Sequence, residues 1–260
     1  MKNPEKVSKH IVQWIKNYLK NSGANGIVIG ISGGVDSALT STLCAETKSK
    51  VLCLEMPIHQ NIDQVSRSKK HIEWLKNKYS NVSSLNLSLD KIYESFIDII
   101  PETKSINHEL SLANTRSRFR MATLYYFSAL NNFIVVGTGN KVEDFGVGFY
   151  TKYGDGGVDI SPIADLLKSE VFYLAKYHKI IIEILEAEPN DGLWNDNRSD
   201  EDQIGASYDE IEEAMKNIEI GNEVLSIREQ QVIKIFKSFH DSNKHKMIPI
   251  PVCIIPKDYL

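Results

Sequence analysis

The segment Gly30-Ile31-Ser32-Gly33-Gly34-Val35-Asp36-Ser37 is the part of this chain most suited to chemistry. Small residues let consecutive backbone N–H groups approach an anion, the hydroxyls of Ser32 and Ser37 add donors, and a helix that starts at Val35 presents its positive end. Together they describe a phosphate cradle. Asp36 inside it would repel phosphate, so its presence makes sense if it holds a magnesium ion that bridges to phosphate oxygens. The Gly-Lys-[Ser/Thr] ending of a Walker A loop is missing here. Glycines at a helix start can also serve structure alone, but strand, Ser-Gly-Gly-Val-Asp-Ser and helix in one unit argue for the cradle.

Hydrophobic periodicity supplies the elements that must position this loop. Val7, Ile11, Ile15 and Tyr18 recur at helical spacing, which predicts an amphipathic helix over 4–21. Ile27 to Ile31 is a short continuous apolar run, as expected of a parallel strand buried on both faces. Helix follows at 35–47, strand at 51–56, helix at 61–78, a weaker strand at 82–87, helices at 89–100 and 107–131, and a fourth strand at 133–136. Further helices are predicted at 163–178, 180–187, 207–217 and 222–240, with a polar stretch over 189–203 and a polar, then proline-rich tail from Lys244. Strands alternating with helices imply an α/β fold, a mostly parallel sheet sandwiched by helices, with ligands beyond the strand C-terminal ends. Seven of the 15 glycines lie between Gly137 and Gly157, after the fourth strand. Two glycine-rich loops on one sheet edge point to one site, and the absence of repeats or linkers to one domain over residues 1–260.

Composition narrows the partners. The chain is 42% hydrophobic and 25% charged, ordinary for a folded protein with a sizeable core. A net charge of −4 and a pI near 6.0 leave no overall basic field for nucleic acid. No apolar run reaches the roughly 18 residues of a membrane span, and charges interrupt the N-terminal segment, so no membrane partner is expected. Cys44, Cys53 and Cys253 are widely spaced and odd in number. That pattern fits buried thiols in a reducing, cytoplasmic compartment. The histidines lack HxxxH or HExxH spacing, so zinc ligation is not expected.

The cradle resembles the signature of the N-type ATP pyrophosphatases, which attack the α-phosphate of ATP and release pyrophosphate. Around it, Asn114 to Met121 (NTRSRFRM), Gly137 to Glu143 (GTGNKVE), Thr151 to Asp159 (TKYGDGGVD), Ser199-Asp200-Glu201 and His245-Lys246 occur in one order. From about Val28 to Pro249 this series resembles the NAD synthetase family, ammonia-dependent type. The resemblance implies an adenine-nucleotide hydrolase-like, Rossmann-like fold. It also implies a two-step reaction: the carboxylate of deamido-NAD (nicotinic acid adenine dinucleotide) attacks ATP, and ammonia then displaces AMP from the acyl adenylate.

By the same resemblance Gly30, Ile31, Ser32, Gly33, Gly34, Val35, Asp36 and Ser37 bind ATP, with Thr138, Lys168 and Asn190 as further contacts. At 190 the family usually carries Ser or Thr. Asp36 and Glu143 are the Mg²⁺ ligands; the loop between Thr138 and Thr151 is one residue longer than the family pattern, so Asp144 competes with Glu143. Arg118, Lys152, Asp159, His245 and Lys246 match positions that hold deamido-NAD, and Asp155 is the candidate to take a proton from ammonium. Simpler roles compete. Arg116, Arg118 and Arg120 could line a solvated helix face, although alternate positions do not share one face. Asp155 and Asp159 could be turn residues. Lys168 near a helix start opposes the dipole unless an anion waits there.

A tRNA-modifying pyrophosphatase would need a basic face or a catalytic cysteine pair, and a nucleotide-binding sensor has no use for two metal carboxylates. With no room for an amidase domain, ammonia is the expected nitrogen source. A homodimer is also implied, with mild support from Met121, Leu124, Tyr125, Tyr126, Phe127 and Leu130, which put apolar groups on more than one side of one helix.

Overall fold

Ile27, Val28 and Ile29 have no accessible surface, because the strand that carries them is interior in a parallel sheet with helices on both faces. In the computed structural model, which describes residues 1–189, 199–222 and 224–260, the sheet comprises β1 (Gly26–Gly30), β2 (Lys50–Glu55), β3 (Val82–Asn86) and β4 (Phe133–Val135). Its order is β3-β2-β1-β4, and every pairing is parallel. Val136 extends the fourth strand by a parallel bridge to Ile160. This is the α/β sandwich that the periodicity implied.

Side chains alternate between two cores. Ile27, Ile29 and Cys53 join the larger one with α1 (Pro4–Ser22), α2 (Val35–Glu46) and α6 (Lys168–Tyr177). Val28, Leu52, Leu54 and Val135 face the other side, where Leu124 and Phe127 of α5 (His108–Asn131) pack. The α3 helix (Ile62–Lys78) follows β2, α4 (Asp90–Ile99) follows β3, and short α7 (Ile182–Leu185) and α8 (Asp200–Ile204) flank the undescribed segment. A third cluster joins α9 (Tyr208–Ile220) and α10 (Ile227–Met247) through Ile211, Ala214 and Val232.

Three expectations need correction, and one element had no forecast. The helix expected from 163 starts only at Lys168, after turns that follow Pro162. The final helix begins at Ile227 and runs to Met247, so His245 and Lys246 sit on its last turn and not in an irregular tail. Lys141–Val147 forms a π-helical turn that periodicity did not reveal. Of the cysteines, Cys44 and Cys53 are buried but Cys253 is exposed; burial pushes the Cys53 thiol up to about 12. Among the described residues no helix is long and apolar enough to cross a membrane.

A buried polar triad ties the N-terminal helix to this frame. His178, just after α6, takes the Ser8 hydroxyl at Nε2 and meets Glu46 Oε1 with Nδ1 at 3.1 Å; Tyr79 donates to the same carboxylate oxygen at 3.2 Å. Burial works against charge on Glu46, but the His178 hydrogen bond and charge hold its carboxyl below the usual range. Replacing the imidazole takes a hydrogen-bond partner from buried Ser8 and leaves half-buried Glu46 with Tyr79 alone. His178→Leu is expected to lower the unfolding free energy by about 1–3 kcal/mol in urea titrations.

Candidate active site

The cradle opens into a cavity of about 280 Å³ at the C-terminal ends of β1, β2 and β4. Gly33 takes φ +86°, and a side chain there would meet the Gln64 carbonyl oxygen at 2.6 Å, so only glycine lets the loop lie on α3. Gly34 caps α2 without a side-chain bond, which leaves the first-turn N–H groups of α2 facing the cavity. The serine hydroxyls serve the loop itself. Ser37 Oγ accepts from Ser32 N at 3.3 Å and donates to Gly34 O at 3.0 Å, while Ser32 Oγ accepts from Gly34 N at 3.2 Å.

Beside the cradle lies a buried ion trio. Lys168 Nζ stands 2.8 Å from both Asp36 Oδ2 and Glu143 Oε1. Three separate elements meet here: Asp36 opens α2, Glu143 rides the π-helical turn, and Lys168 opens α6. Asn140 binds them together. Its Nδ2 donates to Asp36 Oδ1 at 3.0 Å, and its Oδ1 accepts from Val142 N and Glu143 N, both at 3.1 Å. Tyr208 donates to Glu143 Oε1 at 2.6 Å and to Asp200 Oδ2 at 3.2 Å; the Lys168 ammonium also lies 4.8 Å from the centre of its ring.

Burial would discharge all three members of the trio, yet they do not respond alike. Burial raises Asp36 above the ordinary carboxylate value, with Lys168 only partly offsetting it. Glu143 also loses water, but the Lys168 ammonium and the Tyr208 hydroxyl bring it below its usual value. Burial alone would lower Lys168, and the two carboxylates outweigh it and raise it.

The wide π-helical turn separates Glu143 from its neighbour. Glu143 faces Asp36, whereas the Asp144 carboxylate folds under Gly139, where a Cβ would lie 1.9 Å from its Oδ2. Burial, then the charges of Asp155, Glu143 and Asp36, push Asp144 well above the usual carboxylate value. Asp155 reaches the same cavity and accepts from Ser117 Oγ at 2.6 Å and Thr151 N at 3.0 Å. Burial raises it too, although those hydrogen bonds resist the shift.

An NAD synthase family model matches residues 7–249. The ammonia-dependent NAD synthetase of Methanosarcina acetivorans is 36% identical over 258 residues, covering 95% of this chain and 98% of the relative. The chain belongs to the NAD synthase family. Its motif resemblance to that family therefore holds. Among solved structures, the NMN synthetase of Francisella tularensis superposes with a TM-score of 0.83 at 31% identity, covering 98% of this chain and 99% of that one. The ammonia-dependent NAD synthetase of Campylobacter jejuni in complex with nitrate superposes at 0.80 with 28% identity, covering 98% and 100%.

In this NAD synthase family member the candidate residues divide into two groups. Gly30 to Ser37, Thr138, Glu143, Asp155 and Lys168 line this cavity, and Asp144 lines it too. Arg118, Lys152 and His245 form a second cluster: Arg118 Nη2 donates to Lys152 O at 3.4 Å, and Lys152 Nζ to His245 O at 2.9 Å. Adjacent Lys246 donates to Gly148 O at 3.0 Å and Tyr150 O at 2.9 Å. Asp159 stands apart from both groups, accepting from Val135 N at 2.7 Å and Tyr125 Oη at 3.0 Å. Asn190 lies outside the described residues. Sequence reasoning assigned no role to Asn140, Asp200 or Tyr208. Asn140 and Asp200 lie inside quoted motifs, whereas nothing local distinguishes Tyr208.

Because burial and the neighbouring carboxylates push Asp144 well above its ordinary value of 3.8, the folded chain holds this proton to higher pH than the unfolded chain does, which costs stability as pH rises. Asp144→Asn removes that cost. The variant is expected to melt above the wild type at pH 7, the gain shrinking as pH falls toward about 4; calorimetry across that range checks it.

Proposed function

We propose that the chain catalyses ATP-dependent amidation of deamido-NAD by ammonia, giving NAD, AMP and pyrophosphate through an acyl adenylate. The observation that carries this reading is the convergence of an anion cradle, two carboxylates and a buried lysine in one cavity. A carboxylate is a poor acyl donor until its oxygen becomes part of a good leaving group. Attack of the nicotinate carboxylate on the α-phosphate breaks the bond to the β-phosphate oxygen and expels pyrophosphate. The first-turn N–H groups of α2, Thr138 and Lys168 neutralise the charge that gathers there.

Two nearly buried carboxylates already gathered around a cation are a hard oxygen set of the kind that takes Mg²⁺ together with substrate phosphates. Asp36 and Glu143 would hold the ion, and when bound it supplies Lewis-acid stabilisation of phosphate charge. The orientation of Glu143 toward Asp36, with Asp144 folded under Gly139, supports 143 over 144 as the ligand. In the second step, neutral NH₃ adds to the acyl carbon and AMP leaves with the activating oxygen. Asp155 serves as proton acceptor, because a buried carboxylate raised above its ordinary value is a stronger base than a solvated one. Arg118, Lys152, Asp159, His245 and Lys246 hold the dinucleotide; the mutual contacts of Arg118, Lys152 and His245 support that part of the reading.

A nicotinate mononucleotide acceptor is a second reading, favoured by the likeness to an NMN synthetase at TM-score 0.83. The chemistry at the carboxylate is the same, so only the acceptor assay separates the two. We also propose a cytoplasmic homodimer, with Tyr126 and Leu130, 62% and 65% exposed on α5, as part of the covered face. A fully active monomer at micromolar concentration would refute the dimer.

Purified protein is expected to convert ATP to AMP and pyrophosphate only when deamido-NAD and ammonium are both supplied, with glutamine failing to replace ammonium. Turnover with nicotinate mononucleotide alone would select the second reading, and equal turnover with glutamine would refute ammonia as the direct donor.

Asp36→Asn and Glu143→Gln are each expected to slow pyrophosphate release by about 10²- to 10³-fold. Asp144→Asn is expected to be mild. Wild-type release by Glu143→Gln together with a crippled Asp144→Asn would move the ligand to 144; circular dichroism controls for folding.

A further inference from the structure

Three cations of the described residues line the cavity: Arg67, Arg120 and Lys168. Two are committed to the protein. Lys168 lies between two carboxylates at 2.8 Å, and Arg120 gives Nε to Met56 O at 3.0 Å and Nη2 to Gln60 Oε1 at 2.6 Å. Arg67, half-buried on α3, makes one hydrogen bond, from Nε to the carbonyl of Gly33 at 3.3 Å. No carboxylate of the described residues forms an ion pair with it.

That single bond fixes where the guanidinium points. Gly33 is the left-handed residue of the cradle, packed so closely on α3 that an added Cβ would lie 3.2 Å from Ser68 N and 3.4 Å from Arg67 Cβ. Arg67 is therefore anchored to the phosphate loop by one nitrogen at the edge of the fork, which leaves the Nη donors for a group in the cavity. A guanidinium held by a neutral carbonyl keeps its full positive charge, and its paired donors suit the oxygens of a phosphate.

Charge accounting points the same way. On one flank of the cradle the Lys168 charge is already shared between Asp36 and Glu143. Arg67 stands on the other flank, in no ion pair with a carboxylate of the described residues. We infer that Arg67 is a phosphate-binding residue of this site, gripping the nucleotide polyphosphate on the α3 side and stabilising pyrophosphate as it departs. When the bond from the α-phosphorus to the bridging oxygen breaks, its electron pair stays on pyrophosphate, and the guanidinium meets that added charge without transferring a proton. This inference rests on the ATP-cleaving reading above.

The test compares Arg67→Lys, Arg67→Gln and wild type in the full chain. Pyrophosphate and adenosine serve as calorimetric probes, and KM and kcat are measured with ATP. Glutamine retains an N–H for Gly33 but no charge; lysine retains the charge. Arg67→Gln is expected to weaken pyrophosphate binding and raise the KM for ATP by roughly 10- to 100-fold, with adenosine binding unchanged and Arg67→Lys within several-fold of wild type. Pyrophosphate binding by Arg67→Gln within twofold of wild type overturns the inference. So does a result in which Arg67→Lys is impaired as much as Arg67→Gln and adenosine binding falls with it, since that marks loop support alone. Wild-type turnover tests the amidation reading separately, because the pyrophosphate comparison requires no turnover.

Discussion

The contact of Lys168 with Asp36 and Glu143 is the constraint on which the rest of this structure depends. One ammonium cannot satisfy two nearly buried carboxylates unless three chain segments meet within hydrogen-bond reach, and each segment belongs to a different part of the fold. Removing one charge from such a cluster leaves the others buried and uncompensated, which is far more costly than losing an exposed pair. The supporting bonds from Asn140 and Tyr208 follow from the same demand, because the remaining carboxylate lone pairs also need donors.

The sheet delivers these segments to one place. From β1 the chain moves outward to β2 and β3, then returns past β1 to lay β4 on its opposite side. Loops that leave the C-terminal ends of β1 and β4 therefore diverge and open a crevice between them, as at other strand-order reversals. The cradle lies on one side of that crevice, and Thr138, Asn140 and Glu143 on the other. Gly33 adds the third wall by letting the cradle rest on α3, which brings Arg67 to the cavity as well.

Much of this was legible in the sequence, and its limits are instructive. The buried strand around Val28 and the cradle announce themselves because burial on two faces and close anion approach each demand particular residue types in consecutive positions. The π-helical turn was invisible, since a single wide turn has no period. It nonetheless sends Glu143 and Asp144 into different surroundings, one toward Lys168 and the other under Gly139. The last helix was placed too early because the periodic apolar residues, such as Val232, Ile235, Phe236 and Phe239, do not mark where it begins; its actual cap is Ser226, paired with Glu229.

By itself, the sequence determined the layers, the parallel sheet, the family and the short motifs, because each is written in neighbouring residues whose spacing repeats or whose types are contiguous. Only the tertiary structure decided which distant groups share a charge environment. Lys168 and Asp36 are separated by 132 positions, Tyr208 and Glu143 by 65, and Arg67 and Gly33 by 34. Asp159, which belongs to the same short motif as Asp155, turned to the backbone of β4 while Asp155 turned to the cavity. Ionisation and hydrogen-bond partnership depend on distance and on exclusion of water, and both are properties of the packed chain that no local spacing encodes.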